Sequence, residues 1–397
     1  MNSYLSKEEE YLLGLLSRAL SGKPIKEKLL VEGANIQQVI NMAKKHAVLS
    51  LLYDELPKET LTEEQSRYIE KECKQISLQN YRLLFLTKYI VGLLEENGLK
   101  VVVLKGVSTA QYYPVPELRK SGDVDLLLPD TDKIGLIKQI MLTNGFKIYE
   151  EQLANHHISF LSEEGISIEI HTMLAEPFDN GKINRYLDEM VKNKDFETDT
   201  VCAMGLELPV LSKSYYAYEL LLHMMQHFLR SGFGLKLLCD WVVFWQYPVE
   251  EDEKSTYLRL LEESRVKGFS DLVTQTCVKY LGMPKENVQW MNCMTEYPCE
   301  EFINEVIEAE EFGKSEVERM VVLQGTGLMD FFKEFHHQMY LNYPKVGKCF
   351  LLWPVLWIMT LLRFLRNNKK VRNTSTGAII KEAKRRSGLM KQIKLFQ

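Results

Sequence analysis

Apolar positions near the N-terminus recur at helical spacing. Leu12, Leu13, Leu15, Leu16 and Leu20 line one stripe, which predicts an amphipathic helix. A second helix fits Ile36 to Leu52. A long third fits Glu63 to Glu96 and stops at Asn97-Gly98. The period then changes. Lys100 to Leu104 (KVVVL) and Asp123 to Leu128 (DVDLLL) are short and rich in branched residues, as buried strands are. Pro129-Asp130 opens a helix to about Thr143, with Asp130 as its N-cap, and Asn144-Gly145 breaks it. Phe146 to Tyr149, His157 to Leu161 and Ile166 to His171 read as three more strands. A turn at Glu163-Glu164-Gly165 joins the last two. Beyond about residue 200 the helical period returns, over Ser214 to Leu229, Leu235 to Trp245, and several shorter helices across 255–325.

This pattern predicts an α+β fold, a small mixed β-sheet flanked by N-terminal and C-terminal helical regions. The expected divisions are a helical region over 1–98, a core over 99–200, a helical domain over 201–347 and a tail over 348–397. The chain shows no internal repeat and no low-complexity segment.

The composition, 46% apolar and 26% charged, is that of an ordinary globular protein. It excludes collagen-like, fully disordered and disulfide-stapled chains. Seven cysteines, none in a C-x-x-C pair, read as reduced intracellular thiols. The opening MNSYLSKEEEYLL lacks the charge order of a secretion signal. A cytoplasmic protein is therefore expected. The net charge of −5 argues against a general polyanion binder, but it averages two unlike parts. From Arg363 to Gln397 there are eleven Lys/Arg and one acid, so the tail is +10 and residues 1–362 carry −15. The run from Cys349 to Leu362 has no charge, yet it is shorter than the ~20 residues a spanning helix needs. Three readings of residues 349–397 stay open: a solvated terminus, a contact with anionic membrane at its inner face, or RNA binding. Trp353, Trp357 and Phe364 beside the basic run favour lipid over RNA.

Chemistry concentrates between Leu104 and His171. Asp123 and Asp125 are two apart on a strand, so both carboxylates project from one face. Adjacent carboxylates repel unless a cation neutralises them. The pair therefore suits a divalent metal, Mg²⁺ for all-oxygen ligands, or else a solvated strand edge. Lys105-Gly106 follows the first strand, and Val107-Ser108-Thr109 follows that. A strand running through glycine into a helix start brings backbone N–H groups close to an anion. In Ile166 to His171 the isoleucines share one face, while Ser167, Glu169 and His171 share the other. Glu169 is then a third carboxylate beside the Asp pair. Three carboxylates near a glycine turn are the parts of a two-metal phosphoryl-transfer site.

Those residues resemble the DNA-polymerase-β-like nucleotidyltransferase superfamily. More narrowly, they resemble an uncharacterised bacterial branch of it. The match runs through Leu104-Lys105-Gly106, Tyr113-Pro114, Arg119, Gly122-Asp123-Val124-Asp125-Leu126-Leu127 and Glu169-Ile170-His171. It continues loosely through Leu221-Leu222-His223, His227, Leu238-Cys239-Asp240-Trp241, Tyr343-Pro344 and Leu351 to Pro354. The resemblance implies transfer of a nucleoside monophosphate from an NTP to a hydroxyl of a small molecule, a protein or RNA. It implies Asp123, Asp125 and Glu169 as catalytic metal ligands, with two Mg²⁺ ions. It also implies Lys105, Gly106, Ser108, Arg119 and His171 as nucleotide-binding residues. One departure stands out: Lys105-Gly106 occupies the place where the superfamily usually has Gly-Ser. Ser108, Thr109 or Lys105 would then meet the phosphates, or the chain is a degenerate member that binds nucleotide or a partner without catalysis. Arg119 reads either as a phosphate contact or as a surface arginine paired with an acid. His223 and His227 are spaced for zinc, but they read better as core or cleft-wall histidines.

Overall fold

The computed structural model describes residues 5–23, 32–152, 157–178, 180–230, 232–290, 295–310, 336, 339, 343, 346, 349–367 and 388–396. Helix α1 (Lys7–Ser21) begins at a capping box. Ser6 Oγ accepts from the Glu9 N–H at 3.3 Å, and the Glu9 carboxylate accepts from the Ser6 N–H at 2.6 Å. The leucine stripe is buried as expected. α2 (Ile36–Lys45) stops earlier than its apolar pattern suggests. Ala47 adopts φ 57°, which no right-handed helix accommodates, and Leu49–Leu52 continue as a separate 3₁₀ turn. α3 (Glu63–Glu96) runs between a Thr62/Gln65 capping box and Asn97, as its stop signal indicates.

The sheet follows. β1 (Val102–Val103) is shorter than the KVVVL run, and α4 (Val107–Ala110) is a single buried turn. β2 (Asp123–Leu127) leads to α5 (Ile134–Thr143). Asp130 does not cap α5. A 3₁₀ turn at Thr131–Lys133 intervenes, and the Asp130 carboxylate pairs with Lys133 at 3.4 Å and with Lys194. β3 (Lys147–Gln152), β4 (His157–Leu161) and β5 (Ser167–His171) form an antiparallel run. After α6 (Gly181–Lys192) comes a hairpin of β6 (Thr198–Ala203) and β7 (Leu206–Leu211).

That hairpin corrects the expected return of helices near residue 200. It turns at Met204-Gly205, both at positive φ, as tight hairpins require. It also makes the sheet larger than expected, seven strands in the order β3-β4-β5-β2-β1-β7-β6. β2 pairs with β5, and β1 with β7, in parallel; the other neighbours are antiparallel.

Helices α7 (Lys213–Arg230), α8 (Leu235–Phe244), α9 (Glu251–Glu263), α10 (Lys267–Tyr280) and α11 (Cys299–Ala309) complete the body. Trp241, Trp245, Tyr257 and Trp290 pack in one aromatic cluster, and Trp241 Nε1 donates to Thr274. Helices expected across 311–325 lie outside the described residues, as do His156 and the basic run from Lys369 to Arg386. Near the C-terminus, α12 (Trp353–Asn367) is amphipathic. Residues 388–396 dock on the body: Leu389 and Ile393 are buried, and the Phe396 N–H donates to the Arg265 carbonyl at 3.0 Å. Gly268 permits this, since a Cβ there would lie 2.0 Å from the Ile393 carbonyl oxygen. Among the described residues no helix is long and apolar enough to cross a membrane, and the cysteines form no disulfide.

Candidate active site

Strand alternation places Val124, Leu126, Ile168 and Ile170 in the core. The opposite face of β2 and β5 holds the polar side chains. Parallel pairing sets Asp123 opposite Ser167, and Asp125 opposite Glu169. His171 stands two residues beyond Glu169 on the same face. The donor atoms of Asp125, Glu169 and His171 all lie within 4.8 Å of one another. His171 Nε2 is 3.0 Å from Asp125 Oδ1 and 3.5 Å from Glu169 Oε2. On β4, the ring of His157 sits 5.7 Å from that of His171, its partner across the sheet.

Lys105 enters from the glycine turn. Its Nζ lies 2.7 Å from Asp125 Oδ2, an ion pair by distance although not an aligned hydrogen bond. Burial pulls the Lys105 pKa down, but Asp125, Asp123 and Glu219 outweigh it and hold it above the usual lysine value. Burial likewise raises Asp125, yet Lys105 and His171 overcome that and hold it well below the ordinary carboxylate range. Asp123 moves the other way, pushed up first by the Asp125 charge and then by burial. Glu169 is also raised, by burial first and then by Asp125. A buried, ionised Asp125 thus sits between two carboxylates that resist ionisation. That is the electrostatic profile of a site suited to an added cation.

Among the described residues, no such three-donor group includes Asp123. The expected set of Asp123, Asp125 and Glu169 is therefore brought together only in part, with His171 completing the triad. Two carboxylates and an imidazole can hold a divalent cation, although the His171 nitrogen departs from the all-oxygen set expected for Mg²⁺.

The remaining sequence candidates are placed differently. Gly106 adopts φ 75°, the left-handed region that glycine alone enters freely, and its carbonyl accepts from Arg119 at 3.0 Å. Ser108 lies in the core. Its hydroxyl is 2.9 Å from the Tyr216 hydroxyl, and Thr109 reaches the same oxygen at 2.8 Å. Both hydroxyls are committed there rather than to the sheet face. Arg119 is 4% exposed and clamps Asp240 of α8 in two hydrogen bonds, 2.8 and 2.7 Å. It also donates to Ser121, and Tyr113 donates to Asp240 at 2.6 Å. Arg119 is thus paired with an acid, but in the interior rather than at the surface. Asp240 answers Arg119 and Tyr113.

Glu219 of α7 was not singled out from sequence. It is buried, its Oε2 has no hydrogen-bond partner among the described residues, and its pKa is pushed up to about 7. Burial is the largest cause; Lys105 opposes it and Asp125 adds to it. His223, one helical turn on, is held well below the usual histidine value by burial and then by Lys105. Its ring meets that of His227 edge-on, centroids 4.5 Å apart. The signal in the sequence was a carboxylate within an otherwise apolar helical stripe.

The glycine turn and the acidic strand pair thus meet at one site, with Glu219 and His223 of α7 within the electrostatic reach of Lys105. A family model described as an uncharacterised nucleotidyltransferase matches residues 32–282, and the chain belongs to that family. Among solved structures, the chain is similar to the crystal structure of an antigenic nucleotidyltransferase-like protein from Paracoccidioides brasiliensis. Identity is 14% over 54% of this chain and 93% of that one, with a TM-score of 0.28. No curated protein matches the chain.

Proposed function

We propose that the chain is a divalent-cation-dependent nucleotidyltransferase of the DNA-polymerase-β-like kind, moving a nucleoside monophosphate from an NTP to an acceptor hydroxyl. The observation that supports this most is the meeting of Asp125, Glu169 and His171 on adjacent parallel strands, with Lys105 above them. Asp125, Glu169 and His171 would hold a divalent cation, Mg²⁺ in this reading although His171 brings a nitrogen, with Asp123 available to a second ion. When bound, such an ion supplies charge stabilisation for the transferring phosphoryl group and activation of the attacking oxygen.

The protein's own groups do the rest. Lys105 offsets charge on the triphosphate oxygens. Glu169, whose pKa is raised by burial and then by Asp125, is either a ligand of the cation or, left free of it, the group that accepts the proton of the acceptor hydroxyl. The new bond joins that oxygen to the α-phosphorus, and pyrophosphate leaves. The helices beyond β7, of which α7 brings Glu219 and His223 towards Lys105, would supply acceptor choice.

Labelled NTPs incubated with the protein, Mg²⁺ and a cell lysate test this. Label should pass to one acceptor class and fail to do so with Asp125→Asn. No transfer from any of the four NTPs would overturn the catalytic reading.

A second reading has its own observation. Lys105 already neutralises Asp125, and Asp123 is not one of the three donors that converge. A member that binds nucleotide or a partner without catalysis would look like this. It would bind NTP equally with and without Mg²⁺ in a calorimeter, whereas the catalytic reading requires metal-dependent binding.

A further inference from the structure

Helix α12 has two unlike sides. On one, Leu356 and Thr360 are buried, Trp357 Nε1 donates to His336 Nδ1 at 3.1 Å, and the Trp353 ring packs against that of His336. On the other, Val355, Ile358 and Leu362 are 56–60% exposed, with Met359 beside them. At ~100° per residue these four positions fall on one arc about 100° wide. Leu351 and Leu352, in the turn before the helix, are exposed as well. No charged residue interrupts the stretch from Cys349 to Leu362. An apolar face of this kind on a protein surface marks a contact with something else.

Charge indicates the occupant. The sequence turns strongly basic where the apolar arc ends, with eleven Lys/Arg against one acid from Arg363 to Gln397. Beyond that run the chain returns to the body at residues 388–396, where Phe396 packs on Phe178. We propose that the outward face of α12 docks the protein on an anionic lipid bilayer, the helix lying in the interface plane. The apolar arc enters the acyl boundary, and the positive charge of the sequence beyond it complements anionic rather than neutral headgroups. Pairing of this face with a second copy would bring two +10 segments together, which disfavours it. RNA would engage the basic run but leave the apolar arc in water.

The test is sedimentation of the full chain with vesicles, either pure phosphatidylcholine or equal parts phosphatidylcholine and phosphatidylglycerol. The protein should sediment with the anionic vesicles, stay in solution with the neutral ones, and be released by high salt, since screening weakens headgroup attraction. Ile358→Glu with Leu362→Glu should weaken binding by about ten-fold or more. Because both side chains face solvent, circular dichroism and the unfolding midpoint should match the parent. Equal sedimentation with both vesicle types, undiminished binding by the double variant, or no vesicle binding at all would overturn the proposal. So would a concentration-dependent dimer that the double variant abolishes, or RNA binding in place of vesicle binding. Salt release of the parent chain gives an independent reading should the variant fold poorly.

Discussion

Two ion pairs flank the glycine turn at Gly106, and they differ in completeness. In Arg119–Asp240 both side chains are buried and every strong group is answered: two bonds between them, Tyr113 on Asp240, and Gly106 and Ser121 on Arg119. In Lys105–Asp125 the lysine side chain is partly exposed, Asp125 Oδ2 lacks an aligned hydrogen bond, and two more carboxylates crowd the same face. A closed pair holds structure, because breaking it strands a buried charge. An open pair leaves charge to be answered by something that binds. The same chemistry, a cation beside a carboxylate, thus serves two purposes on either side of one glycine turn.

The largest expected effect breaks the closed pair. Asp240→Ala leaves the Arg119 guanidinium buried without its acid and should cost about 3–5 kcal/mol in urea unfolding. Asp125→Asn should cost less, because Lys105 still feels Asp123 and Glu219. It should instead reduce nucleotidyl transfer by about a hundred- to a thousand-fold and abolish Mg²⁺-dependent NTP binding. If the two variants lose stability equally while transfer persists in Asp125→Asn, the contrast between the pairs is void.

Glu219 sharpens the comparison through pH. Its folded-state pKa is about 7 against an ordinary 4.5. As pH rises from 4.5 to 7, the unfolded chain ionises this carboxyl while the folded chain keeps it protonated. Folding therefore loses stability through that window, and the loss stays constant above it. In chelator, Glu219→Gln should raise stability at about pH 8 by up to about 3 kcal/mol and change it little at about pH 4. Guanidinium unfolding at the two pH values checks this; an equal change at both would assign the titration elsewhere. Bound Mg²⁺ should shrink the effect if it neutralises the Asp125 face.

Part of this was legible in the chain. Alternation in DVDLLL and ISIEIH places Asp123, Asp125, Glu169 and His171 on polar faces, and the structure agrees. The parallel register that sets Asp125 against Glu169 is a tertiary fact, so alternation alone did not separate Asp123 from the triad. β6 and β7 were missed for physical reasons: β6 is a largely exposed edge strand, and Pro209 interrupts β7. Arg119 and Asp240 lie far apart in sequence, and nothing local marks them as partners. Short-range patterns carry the faces of elements; which faces meet depends on packing.

The smallest expected effect concerns Ser108, where the two uses of polar groups come closest. It follows the glycine turn, in the place where a phosphate-binding hydroxyl was expected. Its oxygen instead lies within hydrogen-bond distance of Tyr216, deep in the core. Ser108→Ala removes the bond to Tyr216 and the longer ones to the Leu104 and Lys105 carbonyls, but leaves Tyr216 with Thr109, so the stability loss should be about 1–2 kcal/mol. The KM for NTP should stay within about two-fold of the parent, since less than ~0.5 kcal/mol of binding is at stake. A rise in KM of about ten-fold with unchanged stability would mean that the turn reorganises on binding to offer Ser108 to the phosphates. Lys105 would then share that duty, and the boundary between closed structure and open site would lie beyond α4 rather than at Gly106.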